Sequence, residues 1–215
     1  RVNADGVPAG FDVFSDYVFS GNGCLLTRIH AKPFGALPVL PRLGVQLTLP
    51  PGFEQFCWLG RGPHESYNDR KRGAAVGLYC GSVDKQYVPY IMPQENGNKT
   101  DVRWAALCNS GGWGVLASAD RHLEVSVSHF TAHDLYRALH THELTRRPQV
   151  FLNLDVRQLG LGSASCGPGV GEGYLVFPTV ERFTMLIQPL KPGDDPRSIG
   201  RRWVELPAGF TEGEG

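Results

Sequence analysis

The sequence has no excess of charge of either sign. Its 215 residues contain 21 Lys or Arg and 21 Asp or Glu, so the formal net charge is zero. A balanced chain has no long-range attraction to nucleic acid or to an anionic membrane. Long apolar runs are also absent, since the longest are only a few residues and fall far short of a membrane span. We therefore predict neither nucleic acid nor membrane as a partner.

Signals for export are lacking as well. The chain opens with Arg1 rather than methionine, and no charged segment followed by an apolar one marks a secretory signal. We expect a processed chain or a piece of something longer.

Cysteine is sparse and has no CxxC spacing. The odd number and wide separation disfavour a zinc site or a dense disulfide framework and predict reduced, mostly buried thiols. We accordingly expect a cytoplasmic location. The single sequon, at 98–100, is predicted to be a plain loop. The cysteines are Cys24, Cys57, Cys80, Cys108 and Cys166.

Glycine and proline, in contrast, are abundant, with 27 and 16 residues spread without a period. This composition favours short strands joined by many turns. Apolar side chains occupy alternate positions over 43–49, 123–128, 150–156 and 183–187. A period of two with one apolar face predicts antiparallel strands over a common core.

Helical signals are few. Thr131 can cap a helix, and Asp134 can complete a capping box with it. Leu135, Ala138 and Leu139 then form a short apolar stripe. The sequence predicts an all-β fold with this one short helix of about two turns.

The chain divides by composition into three parts. Residues 1–10 form a polar, glycine-rich lead-in, and residues 11–190 form one domain. Residues 191–215 are rich in proline, glycine and charge, which predicts an extension outside the core.

Histidines cluster just after the predicted helix. His140 and His142 have the HxH spacing that ligates a metal when it lies on a strand, and His129 or His133 could be a third ligand. Nothing in the spacing fixes that third ligand. Histidines at a helix end more often pack and form hydrogen bonds, which is the favoured interpretation.

A pair of carboxylates stands in the polar stretch 58–73. Glu65 and Asp69 flank Tyr67, and a glycosidase needs two carboxylates about 5 to 9 Å apart. Arg70 and Lys71 follow directly, which favours ion pairing that holds a loop over catalysis.

A glycine-rich stretch, 159–171, contains Ser165 and Cys166. It has neither the GxSxG of a nucleophile elbow nor the GxxxxGK[ST] of a phosphate loop. Its backbone can approach a ligand closely. We predict either a loop that touches a partner or a sugar, or a plain surface turn.

Five segments, in this order, resemble the C-terminal or small-chain domain of bacterial-type β-galactosidases of glycoside hydrolase family two. The resemblance spans about residues 11–190, and the family's first strands are expected to precede Phe11. The segments are LPRLG (40–44), WLGRGPHESYNDR (58–70), YVPYIMPQENGNKTDVRW (87–104), SVSHFTAHDLYRALHTHEL (126–144) and LNLDVRQLGLGSASCGPGV (152–170).

The resemblance implies an antiparallel supersandwich, similar to the galactose mutarotase (aldose 1-epimerase) fold. It also implies that the two catalytic glutamates lie in a separate TIM-barrel domain, to which nothing here corresponds. The chain would then be non-catalytic, and its partners would be the remaining domains or large subunit of a β-galactosidase, the galactoside substrate and, as one option, further copies of itself. No cofactor is expected in this chain, and Mg and Na would belong to other domains of the parent.

The family's Gly-x-Gly-Pro-x-Glu-x-Tyr-x-Asp-Arg pattern is present in full. The resemblance implies a structural knot in which the glycines and the proline set a turn while the three charged residues hold one another and nearby backbone groups. The matching residues are Gly60, Gly62, Pro63, Glu65, Tyr67, Asp69 and Arg70.

The turn at 162–170 is the second expected site. In the best-known relatives it offers a tryptophan to the sugar, whereas here Cys166 stands at the matching place, and a thiol gives far less contact area. Ser165, Cys166 and Gly167 are expected nearest the substrate. Two alternatives stay open: a carbohydrate-binding module, or a mutarotase that uses a glutamate with His129 or His133.

Overall fold

Antiparallel strands make up most of the structure, a computed structural model that describes residues 1–3, 5–163 and 167–201. Within these ranges every strand pairing is antiparallel, so the predicted all-β class is confirmed. The supersandwich arrangement stays a prediction. The elements are β1 (Val2–Asn3), β2 (Gly10–Phe19), β3 (Leu25–Phe34), β4 (Arg42–Leu49), β5 (Gln55–Gly62), β6 (Ala75–Ser82), β7 (Lys99–Cys108), β8 (Gly114–Ser128), α1 (Ala132–Arg137), β9 (Val150–Gln158), β10 (Glu181–Leu190) and α2 (Pro196–Ile199), with 3₁₀ turns at Asp84–Gln86, Thr141–Glu143 and Glu172–Tyr174.

The long strand β8 is the branch point of the sheet. The strands follow the order β1-β2-β3-β10-β8-β7-β5-β6, and β9 leaves this path by pairing with β8 and β4. Residues 114–119 of β8 lie between β7 and β10, whereas residues 124–128 pair with β9. One strand therefore joins both parts of the sheet.

Strand alternation holds at the edge and fails in the centre. In β4, Leu47 is half-buried between exposed Gln46 and Thr48, as predicted. In β8, however, Glu124 and Ser126 are buried as well. Both faces of this central strand are covered, so its polar face lies inside the molecule rather than in solvent.

The main core fills the space between the inward faces of the strands. Fully burying one such apolar side chain contributes about 1.5–3 kcal/mol. The members of this core that are at most 2% exposed include Phe56, Trp58, Val102, Leu107, Leu123, Leu152, Leu154, Phe183 and Met185.

A smaller apolar cluster lies around Trp104, which is 2% exposed. Ile199 of α2 packs against it. At Gly200 an added Cβ would lie 2.4 Å from Trp104 Cδ1, so only glycine fits where the chain leaves α2. This second helix, inside residues 191–215, is not predicted by the sequence; the domain limits themselves stay a prediction.

Helix α1 begins as predicted. Thr131 Oγ1 accepts from the Asp134 N–H at 3.1 Å, and Asp134 Oδ2 accepts from the Thr131 N–H at 2.9 Å. Leu135 and Ala138 are buried, but Leu139 is exposed. Among the described residues, neither helix has the length or the apolar character needed to cross a bilayer.

The prediction of reduced cysteines is wrong for one pair. Cys57 and Cys80 form a disulfide with their Cα atoms 4.1 Å apart, because the β5–β6 register places them directly opposite each other. They are 23 residues apart in sequence, so no local spacing reveals the pair. Cys24 and Cys108 are free, and Cys166 lies outside the described residues.

The β2 edge carries large exposed apolar side chains. Phe14, Tyr17 and Phe19 are 64%, 60% and 75% exposed. β1 covers β2 only at Gly10 and Phe11, so the rest of this edge pairs with no strand among the described residues.

Candidate functional site: a buried knot beneath a glycine-rich turn

The loop that joins β5 to β6 holds the family pattern in a compact form. It starts at the cis Gly62–Pro63 bond and folds back on itself, with the Arg70 N–H donating to the Tyr67 carbonyl at 2.7 Å. Tyr67 is fully buried, and burial raises the pKa of its hydroxyl. The middle of the loop, residues 65–67, is therefore part of the interior, while its two ends are exposed.

The two pattern glycines allow close packing. A Cβ on Gly60 would lie 2.8 Å from Val102 Cγ2, and one on Gly62 would lie 2.8 Å from the Tyr79 ring and 2.9 Å from the Trp58 ring. Any larger side chain would push β5 away from its neighbours. These two glycines are therefore needed for the close packing of β5 against its neighbours, and not for reversing the direction of the chain.

Glu65 is the centre of the knot. Its side chain is 1% exposed and forms an ion pair with Arg70. Its carboxylate also accepts from the Tyr90 hydroxyl and, at 2.8 Å, from the Gly97 N–H. The pKa of the Tyr90 hydroxyl is raised mainly by burial and also by this hydrogen bond, so the hydroxyl stays protonated and donates to Glu65. Glu65 thus ties the loop to the segment before β7.

Asp69 has only one part of the predicted role, since it holds backbone groups but not the other two charged residues. It does not join Glu65 and Arg70; its two oxygens accept from the backbone N–H groups of Leu161, at 3.0 Å, and Gly162, at 2.7 Å. A Cβ on Gly160 would lie 2.8 Å from Asp69 Cγ. The base of the glycine-rich turn therefore rests directly on this carboxylate.

The turn closes above that base. The Ser163 N–H and its hydroxyl both donate to the Pro168 carbonyl, at 3.2 and 3.1 Å, and Gly167 is exposed. Of the predicted substrate-binding residues, Ser165 and Cys166 lie outside the described residues. Gly167 alone is placed, on the outer side of an anchored turn.

Below the loop lies a hydrogen-bonded layer that sequence reasoning missed. Asn98 donates to the Ser66 carbonyl at 3.0 Å and to Glu124 Oε2 at 2.7 Å. The Ser66 and Thr100 hydroxyls are 2.9 Å apart. The predicted plain loop at 98–100 is wrong, because Asn98 is fully buried and Lys99 begins β7. A glycan cannot be attached to this buried side chain without opening the fold.

Two buried groups in this region have shifted pKa values. Burial raises the pKa of Glu124 to about 7. Burial lowers the pKa of Lys99 to about 8, although its Nζ donates to the Pro63 carbonyl at 3.2 Å. The pattern loop is thus supported by titratable groups that have little contact with water and whose burial favours their uncharged forms.

Arg42 extends the buried polar region to β9. Its guanidinium lies 3.1 Å from Glu95 Oε1 and 3.4 Å from Asp155 Oδ2. Burial raises the pKa of Asp155 to about 7, against the attraction of Arg42. The sequence contains only a weak signal for the burial of Glu124 and Asp155. Both stand at the polar positions of alternating strands, where side chains are normally expected to be exposed.

The histidine segment does not have the strand geometry that a metal site of His140 and His142 would require. His140 precedes the 3₁₀ turn Thr141–Glu143 and His142 lies within it; both are exposed, and their rings are stacked. His140 Nδ1 lies 2.7 Å from Glu143 Oε1. His129 is not a third member of this group; its ring contacts Glu54 and Arg146. The arrangement favours packing and hydrogen bonding at the helix end.

The carboxylates of the pattern offer no free proton-transfer group. Glu65 is saturated by three donors, and both Asp69 oxygens accept from backbone N–H groups. A general acid or base must reach a substrate within hydrogen-bonding distance. The geometry therefore suits support of a loop.

Comparison with known proteins agrees with these features. The family profile described as beta galactosidase small chain matches residues 2–187. The β-galactosidase of Arthrobacter sp. (strain B7) is 37% identical over 181 residues, which cover 82% of this chain and 18% of that enzyme. That of Priestia megaterium is 36% identical and that of Vibrio cholerae 40% identical, each over 146 residues that cover 68% of this chain and 14% of the relative. The chain spans less than a fifth of these relatives, and it belongs to the β-galactosidase small-chain family.

Proposed function

We propose that this chain is the C-terminal domain of a β-galactosidase that hydrolyses terminal β-D-galactosides, and that it is itself non-catalytic. Retaining hydrolysis needs one glutamate as acid/base and another as nucleophile, about 5 to 5.5 Å apart. The paired carboxylates of the pattern are occupied in holding loops. The reacting groups, and the Mg and Na of the parent, are assigned to its other domains.

The observation that carries the proposal is the anchoring of the glycine-rich turn by Asp69. A loop that forms one wall of a sugar site must be held in place, since misplacement of about 1 Å is costly in catalysis. Asp69 fixes the backbone at Leu161 and Gly162, which form the base of the turn. We assign Ser165, Cys166 and Gly167 to the wall nearest the galactoside.

The open β2 edge supports a role in interdomain contact. Exposed apolar side chains and unpaired strand edges mark interaction sites. The β2 edge is largely unpaired, and β2 exposes Phe14 on one face and Tyr17 and Phe19 on the other. We propose that the remaining domains or large subunit cover this edge. Slower amide exchange of β2 in an assembled enzyme than in the isolated chain is expected; equal rates would count against it.

We also propose a cytoplasmic location. The free thiols Cys24 and Cys108 suit a reducing compartment. The Cys57–Cys80 bridge is the feature that argues most strongly for an oxidising one. Recovery of the chain from secreted material would contradict the proposal.

The test replaces the matched region of the Arthrobacter enzyme with this chain and compares Asp69 with Asp69→Asn in that chimera. An asparagine directs its NH₂ at a backbone N–H and loses one of two hydrogen bonds. We expect KM for o-nitrophenyl β-D-galactoside to rise about threefold to tenfold, equivalent to ~1 kcal/mol. The melting temperature should fall only slightly.

The matched control is Asp194→Ala, which removes one hydrogen bond between a carboxylate and a backbone N–H, that of Lys191, in the turn that follows β10. It should leave KM unchanged. An unchanged KM in Asp69→Asn, or an equal rise in both variants, would contradict the role of the turn.

A further inference from the structure

Three ligating side chains from separate parts of the chain meet around His129. Glu54 precedes β5, Asp84 begins a 3₁₀ turn, and His129 follows β8. His129 Nε2 lies 2.9 Å from Glu54 Oε2 and 3.8 Å from Asp84 Oδ1. The three ligand atoms all lie within 4.8 Å of one another. One nitrogen and two carboxylate oxygens thus converge on one point.

The buried ring of His129 has a fixed direction. Its side chain is 1% exposed, and Nδ1 lies 3.0 and 2.9 Å from the carbonyl oxygens of Arg147 and Gln149. Since both neighbours only accept, Nδ1 carries the hydrogen, and Nε2 is directed at the carboxylates. Donation from the distal ring nitrogen to a backbone carbonyl is how metal-ligating histidines are usually held.

The contacts of Nε2 with the protein conflict with one another. Nε2 lies 2.8 Å from Arg146 Nη2, which can only donate, and 2.9 Å from Glu54 Oε2, which as a carboxylate can only accept. If Nε2 carries a hydrogen, it faces the donor Nη2 of Arg146, which is unfavourable. If Nε2 carries no hydrogen, its lone pair faces the carboxylate of Glu54, which is also unfavourable. A cation that accepts electron pairs from nitrogen and oxygen alike resolves this conflict.

Arg146 is able to give way. Its side chain is 46% exposed, and it bonds to Asp84, whose side chain is 61% exposed. Ion pairs of exposed groups contribute little stability, with a median of about 0 to 1 kcal/mol. The guanidinium, which also contacts Glu54 and His129, is thus held by partly exposed ion pairs that a bound cation has to displace.

We propose that Glu54, Asp84 and His129 bind one divalent transition-metal ion of the Zn²⁺ class, in the position that the Arg146 guanidinium fills. Zinc takes nitrogen at about 2.0–2.1 Å and carboxylate oxygen at about 2.0–2.2 Å in tetrahedral geometry. Ligand atoms on such an ion lie roughly 3.3–3.5 Å apart. The two separations from Nε2, 2.9 and 3.8 Å, bracket this value. The ion would join three segments at one end of the sheet, and water would complete its coordination.

The exposed group of His140, His142 and Glu143 is the competing site. Its ligand atoms also lie within 4.8 Å of one another, but each of its side chains is exposed and His140 Nδ1 is engaged by Glu143. Any metal titration of this chain must distinguish the two groups. Removing both histidines supplies a background in which, of these two groups of the described residues, the His129 group is left.

The experiment titrates the metal-free chain, with His140→Gln and His142→Gln, with Co²⁺ read by visible absorption and then with Zn²⁺ in competition. One equivalent should bind. Asp84→Asn, at an exposed position that tolerates change, should weaken binding by about tenfold or more. Arg146→Gln should tighten binding, because it removes the resident cation.

Three results would overturn the proposal: no binding in the double-histidine background, unchanged affinity in Asp84→Asn, or weaker binding in Arg146→Gln. Far-UV circular dichroism of each variant checks that the fold is kept. His129→Gln is not used, since loss of the buried ring endangers folding. Glu54→Gln, at a side chain that is 35% exposed, gives a second loss-of-ligand test.

Discussion

The Glu65 knot and the His140 segment contain similar chemistry in different surroundings. Glu65 is 1% exposed and accepts from three donors, whereas His140 and Glu143 are 62% and 38% exposed and contact chiefly each other. A hydrogen bond to a buried charge is costly to lose, whereas the partners of an exposed pair can be replaced by water at little cost. Burial, more than residue type, decides which polar cluster holds the fold.

The largest effect is expected for Glu65→Ala. The change leaves the Arg70 guanidinium, the Tyr90 hydroxyl and the Gly97 N–H without their shared acceptor. Each buried donor that is left without an acceptor costs about 1–3 kcal/mol, while the Arg70 side chain, which is 48% exposed, can turn to water. Urea denaturation of the isolated chain should show this loss of unfolding free energy.

In the chimeric enzyme, Glu65→Ala should lower the melting temperature without altering the chemistry of turnover. A variant that melts normally but has lost turnover would place Glu65 in the reaction. Glu65→Gln, which keeps part of the hydrogen bonding, is the matched control and should lose less.

The next effect depends on pH and concerns Glu124. Its pKa is raised by burial from 4.5 to about 7, so between these values the folded protein holds a proton that the unfolded chain releases. The wild-type free energy of unfolding therefore falls as pH rises through this window. Glu124→Gln does not titrate and keeps an acceptor for Asn98.

The unfolding free energy of Glu124→Gln relative to wild type should increase from pH 4.5 to 7.5 by on the order of 2 kcal/mol. Denaturant midpoints at four pH values measure it. If the two proteins give parallel curves of unfolding free energy against pH, Glu124 titrates as if it were in water. Burial would then not explain the behaviour of Glu124, which contradicts the prediction.

The smallest effect is expected for His140→Ala. Its ring stacks on His142 and contacts Glu143 in solvent, so the change in unfolding free energy should stay within about 0.5 kcal/mol. A loss as large as that of Glu65→Ala would show that exposure is a poor guide to importance in this fold.

Local patterns in the sequence predict local structure well. The capping box of Thr131 and Asp134 needs only a three-residue spacing, and β4 shows its alternation directly. These features depend on neighbours in the chain. The presence of the Glu65–Arg70 pair is similarly local, because its members are five positions apart in the sequence.

Features that depend on register between distant strands could not be predicted. The Cys57–Cys80 disulfide needs the β5–β6 pairing. The contact of Asp69 with Gly162 joins residues 93 positions apart. Alternation also identifies one apolar face without showing whether the other is covered, which is why burial of Glu124 was missed.

The central claim is that this domain supports a sugar site without supplying its reacting groups. The most direct measurement is release of o-nitrophenol from o-nitrophenyl β-D-galactoside by the purified 215-residue chain. The account predicts no release above that of buffer alone. Release that copurifies with the chain, and that is lost on substitution of one of its own carboxylates, would contradict it.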